Sequence, residues 1–196
     1  MNEKIATKAL SMFTRYGIKW VSMNHVAREL GISKRTLYEV FSSKDELLGV
    51  AIDLSLTQLW EQIARIESQA SSPVKTLLQI SVAVYKYITS FCAAFYADLP
   101  YYNAAQAKMK QSQEQLQETC NRHFNTGVAE GLFLEGENYN LITFVYSEFF
   151  GNNNADFQAT MMRTMLRGVC TEKGCNELRT YKNLVNGISN QIQYAF

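Results

Sequence analysis

The segment GISKRTLYEVFSSKDEL, residues 31–47, places Lys34 and Arg35 directly after Ser33 and Lys44 directly after Ser43. Serine is a favoured helix N-cap, so all three cations fall in first turns, at the positive ends of two helix dipoles. Each placement costs a few tenths of a kcal/mol to about 1 kcal/mol, because a first turn favours Asp and Glu. An anion at the helix end reverses that sign. Free N–H groups and the dipole already attract phosphate, and an added Lys or Arg is then favourable. The chemistry offered is anion binding; the competing reading is a plain three-helix corner with a solvated charged face.

Other chemistries find little support. Two histidines leave few candidates for acid–base work, and no Ser/His/Asp or Cys/His arrangement, Gly-rich phosphate loop or carboxylate pair at a motif spacing occurs. The expectation is a protein that is not an enzyme. Cys170 and Cys175, or Cys120 with His123, lack the paired ligands of a zinc site, so no metal and no cofactor are expected and the four cysteines read as buried thiols.

The elements that must carry the cations are helical. Two prolines and ten glycines in 196 residues, with apolar positions recurring at three and four, predict an all-α protein. Helices are expected at 2–16, 23–30, 34–40, 44–69, 73–97, 101–131, 138–150, 156–171 and 175–193. Ser72-Pro73 reads as a helix start, and Ser43 to Glu46 as a capping box with Glu46 reaching back to the cap. Within SMNHVARELGISKRTLYEVF, residues 22–41, Ala27 is small where two helices cross and Gly31 sits where positive φ is wanted, which defines a helix-turn-helix corner. Val26, Leu30, Ile32, Leu37, Val40 and Phe41 supply its apolar side, against Ile5, Ala9, Leu10 and Phe13 of the preceding helix. The outward face is then Ser33, Lys34, Arg35, Thr36, Tyr38 and Glu39, on a helix of a width that fits the major groove.

Charge divides the chain in the same place. Residues 1–48 carry eight basic and five acidic side chains, 8 − 5 = +3, and the remainder eleven and thirteen, 11 − 13 = −2. A basic end on a slightly acidic body is the asymmetry expected when one end meets nucleic acid. The start MNEKIATKAL has no apolar signal region, and the longest uncharged stretch near the middle, Tyr87 to Ala97, is eleven residues, short of the ~20 of a membrane helix. A cytoplasmic protein with no membrane partner is expected.

The stretch GIKWVSMNHVARELGISKRTLYEVFSSKDELL, residues 17–48, resembles the DNA-binding region of the TetR/AcrR family of transcriptional regulators, whose motif runs T-x-x-x-I-A-x-x-x-G-V-S-x-x-T-L-Y-x-Y-F-x-x-K-x-x-L. Ser22 stands for Thr, Val26-Ala27 for Ile-Ala and Ile32-Ser33 for Val-Ser, while Thr36-Leu37-Tyr38, Phe41, Lys44 and Leu47 match directly. The resemblance implies an N-terminal three-helix DNA-binding domain over 1–48 and a helical effector-binding and dimerisation domain over 49–196. It implies phosphate contacts by Ser22, Thr36, Tyr38 and Lys44, the last with the N–H groups opening its helix, and base reading by Lys34, Arg35 and Asn24, with Ser33 on the same face. Arg35 replaces a small residue and Val40 an aromatic, departures that bear on the operator read. Arg or Lys suits guanine O6/N7 and Asn suits adenine, with about 1–3 kcal/mol of discrimination for each good bidentate contact.

Farther on, Phe91, Phe95, Tyr96, Tyr101 and Tyr102 surround Pro100. They read either as a helical core or as a mainly apolar pocket with hydroxyls to orient a ligand. The resemblance favours a pocket for a small, largely apolar effector, with Phe91, Phe95, Tyr96, Tyr102 and Tyr146 as candidates. Phe149, Phe150, Met161, Met162, Met165 and Leu166 are large apolar residues beyond what one core needs, and are expected to pack on a second copy. The segment 176–194 either extends that interface or covers the pocket. The function so implied is a ligand-responsive repressor that binds a pseudo-palindromic DNA operator as a homodimer and is released by a small molecule. The alternative is a helical adaptor without operator binding.

Overall fold

A computed structural model describes residues 2–140 and 164–181. Its elements are α1 (Asn2–Tyr16), α2 (Met23–Leu30), α3 (Lys34–Val40), α4 (Lys44–Ser68), α5 (Pro73–Thr89), α6 (Ala93–Asp98), a 3-10 turn (Leu99–Tyr101), α7 (Asn103–Ala129) and α8 (Glu172–Thr180). Residues 164–169 are also helical. The fold is all-α; among the described residues the only β feature is an isolated antiparallel bridge between Phe133 and Cys170.

The first four helices lie where apolar periodicity and serine caps place them. Later boundaries differ: the helix expected over 101–131 runs from Asn103 to Ala129, the one expected over 175–193 stops at Thr180, and two further shifts have clear causes. The helix expected over 73–97 breaks after Thr89, because the Cys92 N–H donates to the carbonyl of Thr14 in α1 at 2.9 Å instead of continuing a helical ladder. The last helix begins at Glu172, not 175, with Thr171 as N-cap accepting from the Gly174 N–H at 3.2 Å. Of the cysteines, Cys120 and Cys170 are buried while Cys92 and Cys175 are half-buried.

The chain forms two compact units, one from Met1–Trp60 with Ser90–Gln113 and the other from Glu61–Thr89 with Glu114–Phe196, so that α4 and α7 each contribute to both. In the first unit, Ile5, Ala9 and Phe13 of α1 meet Val26, Ala27, Leu37 and Phe41 in a buried core, while Leu10, Leu30, Ile32 and Val40 are half-buried at its margin. Full burial of a Leu, Ile or Phe side chain contributes about 1.5–3 kcal/mol, enough for this cluster to fix a corner of short helices. Gly17 ends α1 at φ +85°, and a Cβ there would lie 2.8 Å from the Ala94 Cβ, so only glycine lets α6 approach this closely.

The second unit has its own aromatic centre. Phe124 and Tyr139 stack at 4.6 Å, Phe133 tilts against Phe124 at 5.0 Å, and the Tyr139 hydroxyl donates to the Leu134 carbonyl at 2.7 Å. Burial, with the neighbouring Glu137 and Cys170, pushes the Tyr139 hydroxyl up to about 12. Glu67 accepts from Arg122 at 2.6 Å and pairs with His123 at 2.8 Å, joining α4 to α7 within this unit.

Candidate nucleic-acid interface

Helix α2 is fixed at both ends. Ser22, in extended conformation, accepts from the His25 N–H at 3.1 Å. At the other end Gly31 adopts φ 67°, ψ 25°; its N–H donates to Arg28 at 3.1 Å and the Ile32 N–H donates to Ala27 at 3.0 Å. This pair of bonds is the Schellman arrangement, which satisfies the last carbonyls and turns the chain sharply. Ser33 then caps α3, accepting from the Thr36 N–H at 3.0 Å, and its hydroxyl meets the Thr36 hydroxyl at 2.8 Å. Ala27 is 3% exposed at the crossing and Leu37 fully buried beneath α3.

What α3 offers outward is a cationic and aromatic face. Lys34, Arg35, Tyr38 and Glu39 are exposed; the Lys34 Nζ lies 5.6 Å from the Tyr38 ring centroid, and the Arg35 Nε donates to Glu39 at 2.9 Å. An exposed pair spaced four residues apart contributes about 0.3–0.5 kcal/mol, so Glu39 orients the guanidinium without tying it down. Asn24 stands exposed in the first turn of α2. The structure thus brings Ser22, Asn24, Ser33, Lys34, Arg35, Thr36 and Tyr38 onto two consecutive capped helices of one unit.

Lys44, expected at a phosphate, also has partners within this unit. Its half-buried Nζ donates to the carbonyls of Ile18 at 2.7 Å and Val21 at 3.0 Å, with the Tyr102 ring 5.4 Å away. Two of its three N–H donors therefore clasp the loop between α1 and α2. The cap of α4 also departs by one residue from the expected box. The Glu46 N–H donates to the Ser43 hydroxyl at 3.1 Å, but the Glu46 carboxylate accepts from the hydroxyl and N–H of Ser42 at 2.6 and 2.7 Å. Those two bonds hold the Glu46 carboxyl below its ordinary titration range.

Sequence reasoning missed two residues here. Asp98, at the end of α6, is 7% exposed; its Oδ2 accepts from the Lys19 N–H at 2.7 Å and its Oδ1 lies 3.3 Å from the Lys19 ammonium. No local pattern marks it, since its partner is distant in sequence. Trp20, in the clasped loop, is 81% exposed. It precedes the helix-turn-helix pattern of residues 22–41, so no spacing marks it.

The residues expected to line a pocket fall in several places. Phe91, Phe95 and Tyr96 do come together, with centroids 4.6–6.1 Å apart, but Phe91 and Phe95 are buried in the core of the first unit, where α6 packs on α1. Tyr102 lies by Lys44, and Tyr146 is outside the described residues. Of the residues expected at a dimer interface, Leu166 is buried and Met165 half-buried, while Phe149, Phe150, Met161 and Met162 are outside the described residues. Among the described residues no cluster of three or more His, Cys, Asp and Glu side chains could hold a metal ion, and no single helix is long and apolar enough to cross a membrane.

Comparison with known proteins bears on this corner first. Residues 5–51 match the family described as bacterial regulatory proteins, tetR family. Over 75 residues the chain is 31% identical to the HTH-type transcriptional regulator SAB2452 of Staphylococcus aureus (strain bovine RF122 / ET3-1), a match that spans 38% of this chain and 40% of that relative. Solved structures share the fold along nearly the whole chain. The ketosteroid transcriptional regulator KstR2 of Mycobacterium tuberculosis superposes with a TM-score of 0.66 at 17% identity, over 87% of this chain and 95% of its own. The TetR family transcriptional regulator PfmR from Thermus thermophilus does so with a TM-score of 0.63 at 20% identity, over 93% and 96%. Residues 5–51, which include the helix-turn-helix, thus carry the sequence pattern of the tetR family of bacterial regulatory proteins, and the chain shares the fold of these solved regulators.

Proposed function

We propose that the protein is a ligand-responsive repressor: a cytoplasmic, non-enzymatic homodimer that binds a pseudo-palindromic operator and leaves it when a small, largely apolar molecule binds. The observation that carries the reading is the outward face of α3, where Lys34, Arg35 and Tyr38 are exposed on a corner fixed by Ser22, Gly31 and Ser33. In this reading residues 1–48 meet DNA, and residues 49–196 bind the effector and pair the two copies. Ser22, Ser33, Thr36 and Tyr38 contact the backbone; Lys34 and Arg35, with Asn24, meet base edges. Lys44 acts chiefly by holding the loop that presents Ser22. Two copies of α3 would enter major grooves about 34–36 Å apart. Release needs an effector that favours the state fitting DNA poorly. The bonds from Asp98 to Lys19 supply a physical link between α6 and the loop before α2.

Selection from a random DNA pool, followed by titration across salt, tests the reading. Binding should weaken steeply with salt, because phosphate neutralisation releases counterions. Tyr38→Ala should weaken binding to all sequences about equally, whereas Lys34→Ala and Arg35→Ala should each relax preference at a base position. An affinity that does not change between low and moderate salt would refute operator binding, and recovery of a protein partner in its place would favour an adaptor.

A further inference from the structure

Trp20 has the highest exposure, 81%, of the large hydrophobic side chains among the described residues, and Tyr101 follows at 71%. Large aromatic rings left in water are the side chains most often used as interface anchors, since they bring much contact area at little conformational cost. Trp20 is also held still. The residue before it is fixed by the Lys19 N–H bond to Asp98 at 2.7 Å, and the carbonyls of Ile18 and Val21, on either side, are clasped by the Lys44 ammonium at 2.7 and 3.0 Å. Ile18 and Val21 are fully buried beneath the loop. The turn therefore presents the indole outward from a rigid base, and an anchor so pre-ordered loses little entropy when it is covered.

Two observations select the occupant. Trp20 precedes the α2 cap Ser22 by two residues, a separation of at most about 7 Å, so whatever meets the start of α2 is within reach of the indole. The carboxylate beside the loop, Asp98, is buried and paired with the Lys19 ammonium at 3.3 Å, so it does not oppose a phosphate there.

We propose that Trp20 is a further DNA-positioning residue, its ring lying against the sugar-phosphate backbone next to α2 and its Nε1–H donating to a phosphate oxygen. This inference rests on the DNA-binding reading above and adds a contact to it. A neutral N–H donating to a charged oxygen makes one of the stronger hydrogen bonds, and backbone contacts set register without reading sequence. The contact therefore contributes equally on specific and random DNA. Because tryptophan carries no charge, it adds affinity without adding to the salt slope.

The full chain has two tryptophans, and Trp60 is half-buried and donates to the Ser112 hydroxyl at 3.0 Å, so Trp60→Phe leaves Trp20 as the sole reporter. This variant is titrated at low salt with a random-sequence duplex of about three helical turns. The indole emission should change and its quenching by iodide should fall severalfold as DNA covers it. Trp20→Ala should bind about tenfold more weakly at every salt concentration, with an unchanged slope of log affinity against log salt. The difference between wild-type and Trp20→Phe titrations reads the same signal if Trp60→Phe perturbs the fold. The proposal is overturned if wild type binds the duplex while Trp20 emission and iodide access stay constant and Trp20→Ala binds within about twofold of it. It is equally overturned if the indole is covered as protein concentration rises without DNA, which would assign Trp20 to a protein contact. Failure of wild type to bind the duplex at any salt would instead sink the DNA-binding reading itself.

Discussion

Replacing Asp98 by alanine should destabilise the protein far more than removing its ionic partner. The carboxylate makes two contacts that differ in kind. The pair with the Lys19 ammonium at 3.3 Å involves a lysine side chain 57% exposed, so water and salt screen it to about 0.2–1 kcal/mol. The bond from the Lys19 backbone N–H at 2.7 Å is part-buried, and a donor left there without an acceptor costs about 1–3 kcal/mol. Lys19→Ala thus loses only the first contribution, Asp98→Asn keeps an amide oxygen for the N–H and also loses mainly the first, and Asp98→Ala loses both. For a chain of this length a loss of about 2 kcal/mol lowers Tm by roughly 4–8 °C. Thermal melts of the three variants give the ranking, and hydrogen exchange at the Lys19 amide should accelerate in Asp98→Ala alone. If Asp98→Ala melts no lower than Lys19→Ala, the buried N–H is not what the carboxylate serves, and the account of this loop is wrong.

Three further expectations follow from equally local features. Gly31→Ala should cost about 1–2 kcal/mol in a urea titration, because φ is +67° while the added Cβ meets nothing within 4 Å; a neutral substitution would mean the corner relaxes. Burial raises the Glu67 carboxyl, but the bonds from His123 and Arg122 outweigh it and leave the group below its ordinary 4.5. A lowered folded-state value means that the unfolded chain binds protons first. The contribution is full above 4.5 and is lost as pH falls through the lower folded value, so Glu67→Gln should flatten the acid side of the stability curve; an unchanged acid side would discount the cluster. Burial pushes the Cys120 and Cys170 thiols up to about 12, aided by Glu67 for the first and Cys175 for the second. In the native protein near neutral pH, alkylation followed by mass spectrometry should label the half-buried Cys92 and Cys175 first, and rapid labelling of Cys120 would contradict its burial.

Local signals carried much of this structure and long-range ones did not. The bounds of α1, α2 and α3 follow from apolar spacing, serine caps and Gly31, all of which act within one or two turns. The break after Thr89 does not, because the decisive partner of the Cys92 N–H is Thr14, and nothing between 89 and 93 resembles a helix stop. Asp98 was invisible for the same reason, being defined by Lys19. The face of α3 was readable as soon as Leu37 was known to point inward. The carbonyl partners of Lys44 were likewise not legible, because they lie in a loop more than twenty residues away. A cation in a first turn need not wait for a phosphate when two backbone carbonyls of a neighbouring loop are within 3.0 Å of it.

The division of the chain sets an order of events during synthesis. The chain passes between its two units three times, after Trp60, Thr89 and Gln113, so the first unit is not a contiguous stretch of sequence. A ribosome that has made the whole helix-turn-helix has not yet made Asp98, which holds the Lys19 N–H, or Ala104, whose N–H donates to Asp45 at 3.2 Å. Translation at about 5–20 residues per second takes roughly 3–13 s to run from residue 48 to residue 113. Until residue 98 has been made, the loop bearing Ser22 and Trp20 lacks its carboxylate clamp. The nascent reading head is therefore complete in sequence well before it is complete in shape, and a chain interrupted in between would carry the family's whole motif without the rigidity that makes it usable.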